Sequence, residues 1–330
     1  MEKVRWGILG CAEFVERRIL PTLQDVQNGL VLALATRGES ERLARLRNTY
    51  TIPRVYFSYD ELLEDSDIDA VYIPLPNSLH AEWTVKAARA GKHVLCEKPI
   101  ACRSCDLLSI KEAAETSGVH VMEAFACLHS SLFETIRREI ALGSIGELRM
   151  VECHFCGNTT NPNLPECLPE FYGGSIHDIG CYNLLSIRQI TQREPLSVKA
   201  YASFFPNGAD AYVCALLDMG EGLTALSVSS LISARRRSLM VTGSEGFIFY
   251  PHTPNTWGAT EINVFSDGVI DPVKTILLEI PNNYAAEFTQ MGRCILQGEQ
   301  PLVTLDESLG NIKAMEMVHA AINSWMAKPT

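Results

Sequence analysis

The chain has 330 residues, which predicts two domains, and its 47% apolar and 20% charged residues exclude disordered, collagen-like and coiled-coil proteins. The net charge of −11 argues against a nucleic-acid partner, because such binding depends on Lys and Arg neutralising phosphates. The same excess of acid, together with the lack of any apolar run near the ~20 residues of a membrane helix, argues against a membrane partner.

The first part of the chain alternates apolar strands with helical patterns, which is typical of βαβ units and a parallel sheet. The predicted strands are Val4–Leu9, Leu30–Thr36, Ile68–Ile73, Val94–Cys96 and Val119–Ala124. The predicted helices begin near Ala12 and then cover Glu39–Asn48, Leu79–Ala90 and Cys105–Thr116. We therefore expect a doubly wound, Rossmann-type α/β domain over residues 1–125.

The pattern changes after a helix predicted at Ser131–Leu142. Another helix is expected at Ser175–Ile190, and two more at Tyr284–Leu296 and Glu307–Trp325. Between them lie seven predicted strands, at Ser197–Phe204, Ala211–Leu217, Leu223–Ile232, Arg237–Thr242, Gly246–Tyr250, Glu261–Phe265 and Lys274–Ile280. Glycine-containing turns between these strands favour antiparallel hairpins, so residues 126–330 are expected to form an α+β domain.

The turn after the first strand is where a doubly wound fold holds a dinucleotide. Against the pattern G-x-G-x-x-G/A, Gly10 matches the first position, while Ala12 and Val15 replace the second and third glycines. Ala12 still lets a pyrophosphate approach amides at a helix N-terminus. Gly10, Cys11 and Ala12 are therefore candidate cofactor contacts, and a plain strand-turn-helix is the alternative.

The end of the second strand indicates which dinucleotide would bind. An NAD site usually has an acid here, whereas this strand ends at Thr36 and Arg37. An arginine suits a 2′-phosphate, so the sequence favours NADP(H) over NAD(H). The alternative is that Arg37 is a surface residue of a loop that also carries Arg42.

Pro74-Leu75-Pro76-Asn77 and His80 follow the next predicted strand, at a carboxyl end where ligands collect in such sheets. We count all five residues as candidate cofactor contacts. Asn77 suits two compatible roles, that of helix N-cap and that of hydrogen-bond partner for the ligand.

Glu97-Lys98-Pro99 follows the wholly apolar strand Val94–Cys96. An ammonium group at this edge can polarise a carbonyl or stabilise an alkoxide. Pro99 biases Lys98 away from the helical region, so the segment is not a helical continuation. The alternative is an ordinary surface Lys–Glu pair.

With the preceding Pro76–His80 segment, Glu97-Lys98-Pro99 resembles the signature of the glucose–fructose oxidoreductase, inositol dehydrogenase and rhizopine-catabolism (Gfo/Idh/MocA) family. The resemblance extends from Val4 to the C-terminal helix. It implies an N-terminal Rossmann domain, a C-terminal domain with an open, mainly antiparallel sheet, and a catalytic lysine, here Lys98, beside the nicotinamide. It also implies that Glu97 borders the cofactor and that the Lys–Pro bond is often cis.

A second segment, Gly173-Gly174-Ser175-Ile176-His177-Asp178-Ile179-Gly180-Cys181-Tyr182, is similar to the family pattern G-G-x-x-x-D-x-G-x-H/Y. The resemblance makes Asp178 and Tyr182 candidate catalytic residues, and a tyrosine at the last position is similar to the dihydrodiol and pentose dehydrogenase branch. Two alternatives remain: Ser175 and Asp178 also form an S-x-x-D capping box, and Tyr182 suits a buried packing role.

The chain departs from the family at Ala126–Ser130, which replaces an aromatic or Arg–Pro stretch that usually borders the substrate. His129 is either a contact in that region or, as we favour, a solvated histidine at the start of a helix. Tyr284, at the start of a later helix, is a weaker candidate for a contact near the nicotinamide.

The cysteines do not predict a metal site. Cys102 and Cys105 are three residues apart, as are Cys153 and Cys156, but the second pair lies in an apparent strand where such residues face opposite sides. The eleven cysteines are odd in number and lie mostly in apolar stretches, which predicts reduced thiols and a cytoplasmic protein. Arg235-Arg236-Arg237 is interpreted as an exposed strand end.

Together these observations predict an NADP-preferring dehydrogenase or reductase acting on a hydroxyl or carbonyl of a sugar, polyol or related cyclic alcohol. Lys98 or Tyr182 would exchange the hydroxyl proton, and Asp178 would orient the substrate. Two alternatives are an NAD-dependent redox glycosidase or lyase of the same fold and a non-catalytic dinucleotide-sensing regulator. An open C-terminal sheet has one uncovered face, so we expect a homodimer or homotetramer.

Overall fold

The computed structural model describes residues 2–159 and 161–326, and these form two compact units. The first contains the described residues up to His129 together with Asn282–Leu309, and the second contains the described residues of Ser130–Pro281 and residues 310–326. The sequence instead predicts one division after residue 125; residues 1, 160 and 327–330 of those predicted domains lie outside the described part.

The first unit is built on a six-stranded sheet in which neighbouring strands run parallel. Its strand order is β3-β2-β1-β4-β5-β6, which is the doubly wound arrangement that the sequence predicts. The strands are β1 (Val4–Leu9), β2 (Gly29–Ala35), β3 (Arg54–Tyr56), β4 (Ala70–Ile73), β5 (His93–Glu97) and β6 (Val121–Ala124).

Helical segments follow the strands of the first unit. A π-helical turn, Val15–Ile19, leads into the short helix α1 (Leu20–Leu23), and a 3-10 turn, Ala126–His129, follows β6. The other helices before residue 130 are α2 (Glu41–Tyr50), α3 (Tyr59–Glu64), α4 (Asn77–Arg89) and α5 (Ser104–Ser117).

The second unit contains an eight-stranded sheet with the order β14-β13-β12-β11-β7-β10-β9-β8. Only the β7–β10 pair of that sheet is parallel among the described strands, so the prediction of a mainly antiparallel sheet is confirmed. The strands are β7 (Leu148–Asn158), β8 (Ser197–Phe204), β9 (Asp210–Asp218), β10 (Thr224–Ser230), β11 (Ile232–Gly243), β12 (Gly246–Tyr250), β13 (Gly258–Ser266) and β14 (Lys274–Ile280).

The helices of the second unit are α6 (Leu132–Ala141) and α7 (Cys181–Thr191), and α7 is preceded by a π-helical turn at Ile176–Gly180. Helix α7 is almost wholly buried and packs on β7 and β10, so it covers one face of the sheet. The opposite face carries exposed apolar side chains, among them Leu216 and Leu277.

Two helices complete the chain. Helix α8 (Asn283–Gln297) belongs to the first unit because it buries Phe288 edge-on against Trp6 of β1, with ring centroids 4.9 Å apart. Phe288 also lies 5.2 Å from the ring of Tyr72 in β4. Helix α9 (Leu305–Met326) begins in the first unit and continues into the second. Over the described residues, no helix combines the length and the apolar character needed to cross a bilayer.

Candidate functional site

The turn after β1 has the backbone of a dinucleotide-binding turn. Gly10 has a φ of +108°, a conformation that residues with a side chain rarely adopt. Its amide donates to the Ala35 carbonyl at 2.7 Å, and a Cβ at this position would lie 3.2 Å from Leu75 Cδ2. The helical backbone begins two residues after Cys11, so helix-start amides lie beside this glycine.

The end of β2 lies next to this turn. The Thr36 hydroxyl is 3.5 Å from Cys11 Sγ, which ties the two loops together. Arg37 is exposed and forms no ion pair within the described residues. Arg42 differs, because its guanidinium pairs with Glu16 and donates to the Cys11 carbonyl. Of these two arginines, therefore, Arg37 has its charge available for a ligand.

Tyr59, the first residue of α3, is a polar group at this edge that the sequence reasoning missed. Its hydroxyl lies 3.9 Å from the position that a Cβ on Gly10 would occupy, and its ring packs edge-on against Trp83 with centroids 4.9 Å apart. Partial burial raises the pKa of Tyr59, whereas the nearby Arg37 charge lowers it. Ser58 caps α3 through the Asp60 amide, and that capping serine is the signal that could have revealed the helix.

The loop after β4 differs from the sequence expectation at Asn77. Asn77 is the first residue of α4, and the cap position is Pro76, which makes no side-chain capping bond. The capping interpretation of Asn77 is therefore wrong. The loop residues from Leu75 to Asn77 are only partly buried, while Pro74 is buried.

His80 is almost completely buried, and both of its ring nitrogens face main-chain carbonyls. Nδ1 is 2.8 Å from the Pro99 oxygen and Nε2 is 2.6 Å from the Leu75 oxygen. Burial lowers the pKa of His80 to about 4, although the two carbonyls oppose this change. The neutral imidazole has one N–H and donates to one of these two carbonyls at a time, and both of its nitrogens face main-chain groups rather than a ligand.

Lys98 lies directly after β5, and the Lys98–Pro99 peptide bond is cis, as the resemblance implies. The adjacent Glu97 accepts from the buried Tyr72 hydroxyl at 2.6 Å and from the Lys98 amide at 3.3 Å. Burial raises the pKa of Glu97, while Tyr72 and the Lys98 charge oppose the rise. Because Glu97 is engaged with a core tyrosine, the interpretation of Glu97 and Lys98 as a surface pair is wrong.

Glu123 of β6 holds the next peptide. Its Oε1 accepts from the Ile100 amide at 3.0 Å, so the Pro99–Ile100 peptide is bound on one side by His80 and on the other by Glu123. Burial raises the pKa of Glu123 to about 7, although the neighbouring Ser308 hydroxyl and the Ile100 amide oppose this. The main chain after Lys98 is thus fixed by two buried side chains.

Helix α8 adds two residues to this unit. Tyr284 is nearly buried and packs edge-on against Phe14, which lies just after the Gly10 turn, with centroids 5.5 Å apart. Glu287 is fully buried, and neither carboxylate oxygen has a hydrogen-bond partner among the described residues. Burial, together with the charge of Glu97, raises the pKa of Glu287 well above its usual range, so we infer that this carboxyl is neutral.

In the second unit, the Gly173-Gly174 signature is explained by close packing. A Cβ on Gly173 would lie 2.6 Å from the Pro165 carbonyl oxygen, and one on Gly174 would overlap the Asp210 carboxylate. Asp210 accepts from the Ser175 hydroxyl at 2.8 Å and from the Ile176 amide at 2.9 Å. Ser175 makes no capping bond of its own, so the capping-box interpretation is wrong.

Asp178 and Tyr182 follow this anchored segment. Asp178 lies in the π-helical turn and is partly exposed, whereas Tyr182 is in the first turn of α7 and is nearly buried. The Tyr182 ring is 5.8 Å from that of Phe155 on β7. Single π turns within helices occur frequently at functional sites, and this one carries Asp178.

His129 is not a solvated histidine at a helix start, as the sequence suggested. It ends the 3-10 turn after β6, and both ring nitrogens are inaccessible to solvent. Burial lowers its pKa to about 4. Within the described residues, no cluster of three or more His, Cys, Asp or Glu side chains is arranged to hold a metal ion.

The structure gathers most of the predicted cofactor residues in the first unit. Gly10, Cys11, Thr36 and Arg37 lie together at the ends of β1 and β2, while Glu97 and Lys98 share the end of β5 with the His80 ring. Asp178 and Tyr182 belong to the second unit. Glu123, Glu287, Asp210 and Tyr59 were not identified from the sequence.

Comparison with known proteins agrees with both signatures. Residues 4–125 match the model of an oxidoreductase family with an NAD-binding Rossmann fold, and residues 133–249 match the model of the GFO/IDH/MocA C-terminal domain. A dTDP-3,4-didehydro-2,6-dideoxy-alpha-D-glucose 3-reductase from Saccharopolyspora spinosa is 32% identical, with 96% of each chain covered. D-xylose 1-dehydrogenase (NADP(+)) 2 from Haloferax volcanii is 28% identical, with 98% of each covered.

A solved structure gives the same result for the fold. The 3-ketoreductase of Actinomadura kijaniata in complex with NADP and TDP-benzene matches with a TM-score of 0.90 and 27% identity, covering 97% of this chain and 98% of that chain. The family models, the two signatures and this likeness agree: the chain belongs to the Gfo/Idh/MocA family of oxidoreductases.

Proposed function

We propose that the protein is an NADP-dependent oxidoreductase that interconverts a hydroxyl and a carbonyl group of a sugar, polyol or related cyclic alcohol. One observation carries this proposal above the others. It is the placement of Lys98 at the carboxyl end of β5, with the following Pro99–Ile100 peptide held between His80 and Glu123. An ammonium group carried by this fixed main chain suits polarisation of a carbonyl oxygen or stabilisation of an alkoxide.

The residues of the first unit fit a 2′-phosphorylated dinucleotide. Gly10 leaves room above the turn, because a side chain there would contact Leu75. Arg37 is exposed and forms no ion pair with the described residues, so it supplies a positive charge at the end of β2, where the 2′ position of the ribose lies in folds of this type. When bound, the nicotinamide supplies the hydride acceptor or donor, depending on the direction of the reaction.

The chain's own residues have three roles in this proposal. Lys98 holds positive charge at the substrate oxygen, and Tyr182 exchanges the hydroxyl proton through its phenol group. Asp178, one turn before Tyr182, orients the substrate hydroxyl by accepting its hydrogen bond. Two relatives support the substrate class, because one is named a xylose dehydrogenase that uses NADP⁺ and the other a reductase of a dTDP-linked keto sugar.

The test is a steady-state assay that follows reduced nicotinamide by absorbance, with a panel of aldoses, polyols and keto sugars and with both cofactors. We expect turnover with NADP⁺ or NADPH, and we expect Lys98→Met to lower kcat roughly 10²–10⁴-fold. Lys111→Met is the matched control, because Lys111 pairs with Asp306 on the surface. Clear cofactor binding without turnover of any substrate would replace this proposal with the sensing regulator.

The assembly and location that we propose rest on the second unit and on the cysteines. The sheet face opposite α7, with Leu216 and Leu277 exposed, is suited to self-association into a dimer or tetramer. Sedimentation of the full chain, compared with Leu277→Lys, tests this. A cytoplasmic location is proposed because the eleven cysteines are thiols that form no disulfide bond.

A further inference from the structure

A phenol hydroxyl, that of Tyr59, lies beside the Gly10 turn and within electrostatic range of the exposed Arg37. Tyr59 Oη is 3.9 Å from the position of a Cβ on Gly10, and Arg37 is close enough for its charge to act on the phenol. The hydroxyl makes no hydrogen bond to any described residue, although its ring is about half-buried. A hydroxyl in this position is therefore available to form a hydrogen bond with a ligand.

The ring that carries this hydroxyl is held in place. It packs edge-on against Trp83 of α4, with ring centroids 4.9 Å apart, and the Lys86 ammonium group lies 4.0 Å from the centre of the Trp83 ring. Ser58 caps α3 immediately before Tyr59, which fixes the backbone at this point. The phenol therefore approaches the Gly10 turn from a supported position.

The location identifies the part of a dinucleotide that the hydroxyl would meet. Gly10 ends β1 and Thr36-Arg37 ends β2, and the ribose 2′ position is read at the end of the second strand in doubly wound folds. Tyr59 follows β3, the neighbour of β2 on its other side. A donor that lies beside both Gly10 and Arg37 is therefore at the adenosine ribose, far along the cofactor from the reacting ring.

We propose that Tyr59 is a specificity-determining residue that donates its phenol hydrogen bond to the 2′-phosphate, acting with Arg37 to select NADP(H) over NAD(H). This inference rests on the proposed function. A phosphate oxygen accepts this bond and is paired with Arg37, whereas the 2′-hydroxyl of NAD(H) offers neither the charge nor the additional acceptor oxygens. A phenol and a guanidinium on one phosphate complement each other, because the guanidinium supplies charge and the phenol supplies a directed hydrogen bond.

The test measures binding alone, by fluorescence titration of the full chain with NADPH and with NADH. We expect Tyr59→Phe to weaken NADPH binding roughly tenfold to a hundredfold, the range for a lost hydrogen bond to a charged group. NADH binding should stay unchanged, so the selectivity ratio falls. In competition experiments, Tyr59→Phe should weaken the binding of adenosine 2′,5′-bisphosphate by the same factor and should leave the binding of AMP unchanged.

Tyr56→Phe is the matched control, because it also removes a phenol hydroxyl, at the last residue of β3, but one that donates to Asp65 at 2.7 Å. It should leave the NADPH to NADH ratio as in the wild type. In the double variant Arg37→Ala, Tyr59→Phe, the two losses should be less than additive, because both groups act on one phosphate.

Two results would overturn the inference and leave the proposed function standing: an unchanged ratio in Tyr59→Phe, or equal weakening of NADPH and NADH. The second result would mean that Tyr59 serves the adenosine that both cofactors share. If the wild-type chain binds neither cofactor, the proposed function fails and this inference fails with it.

Discussion

Each unit carries one candidate catalytic segment, and in each unit a buried carboxyl group binds a main-chain amide close to that segment, but the two carboxyl groups are used differently. In the first unit, Glu123 binds the Ile100 amide after Lys98 through a single oxygen, while its Oε2 has no hydrogen-bond partner among the described residues. In the second unit, one oxygen of Asp210 accepts from both Ser175 and Ile176.

This difference has a physical consequence. A buried carboxyl with few donors favours its neutral form, and the pKa of Glu123 is accordingly raised to about 7. Burial also raises the pKa of Asp210, but the His319 side chain, the Ser175 hydroxyl and the Ile176 amide all oppose the rise. We call Glu123 with the Ile100 amide the first anchor, and Asp210 with Ser175 and Ile176 the second anchor. The first anchor is thus sensitive to pH near neutrality, and the second depends on packing and on its donors.

The largest expected effect comes from Gly174→Ala, which breaks the second anchor by steric conflict. The new Cβ would overlap Asp210, whose Cγ lies 2.8 Å away, at a residue with a φ of +132°. Backbone strain and overpacking together should lower the free energy of unfolding by about 4 kcal/mol. Urea unfolding, followed by a spectroscopic signal from the second unit, measures this loss of free energy.

Gly208→Ala is the control for backbone strain alone. Gly208 has a φ of +92°, but no atom lies within 4 Å of the new Cβ. The variant should therefore lose only about 1–2 kcal/mol of unfolding free energy. Equal losses in the two variants would mean that contact with Asp210 does not require glycine at position 174.

The second prediction uses the pH sensitivity of the first anchor. The folded pKa of Glu123, about 7, is above its ordinary value of 4.5, so the neutral carboxyl stabilises the fold fully below pH 4.5. This contribution is lost as pH rises through 7, and amounts to about 3 kcal/mol. Glu123→Gln, which stays neutral, should therefore gain stability relative to the wild type between pH 5 and pH 8, as followed by thermal unfolding across this range.

Glu139 in α6 provides the opposite case. It is equally buried, but Lys274 donates to both of its oxygens at 2.9 and 2.8 Å, and with Ser144 this lowers its pKa. Because the folded pKa is depressed, its contribution is present at neutral pH and is lost as the solution becomes acidic. Glu139→Gln should therefore lose stability at neutral pH, and a gain there would contradict the argument for both residues.

The sequence predicts the parts of the fold that depend on local pattern. The strands Ser197–Phe204, Gly246–Tyr250 and Lys274–Ile280 are observed with the predicted bounds. Strand β3 was missed because its three residues are too few for an alternation to be seen. Strand β7 was mentioned only as an apparent strand, and α8 joins the first unit through Phe288, a tertiary contact that no local pattern reveals.

The same distinction applies to the candidate site. Lys98, Asp178 and Tyr182 were identified because they belong to sequence signatures with fixed spacing. Glu123 and Asp210 could not be found in this way, since each is defined by the distant amide that it binds: Ile100 is 23 residues from Glu123, and Ile176 is 34 from Asp210. Whether such an acid is neutral or charged depends on burial and donors, which only the folded chain provides.

The smallest expected effect comes from removing one donor of the second anchor. Ser175→Ala deletes the hydroxyl that donates to Asp210 at 2.8 Å in a fully buried position. Because the buried Asp210 carboxyl then has one donor fewer, the free energy of unfolding should fall by about 1–2 kcal/mol. Ser227→Ala is the matched control, because its buried hydroxyl has no hydrogen-bond partner among the described residues, and it should be neutral or slightly stabilising. If both variants lose the same stability in urea unfolding, the Ser175 bond contributes nothing specific, and the second anchor depends on the Ile176 amide alone.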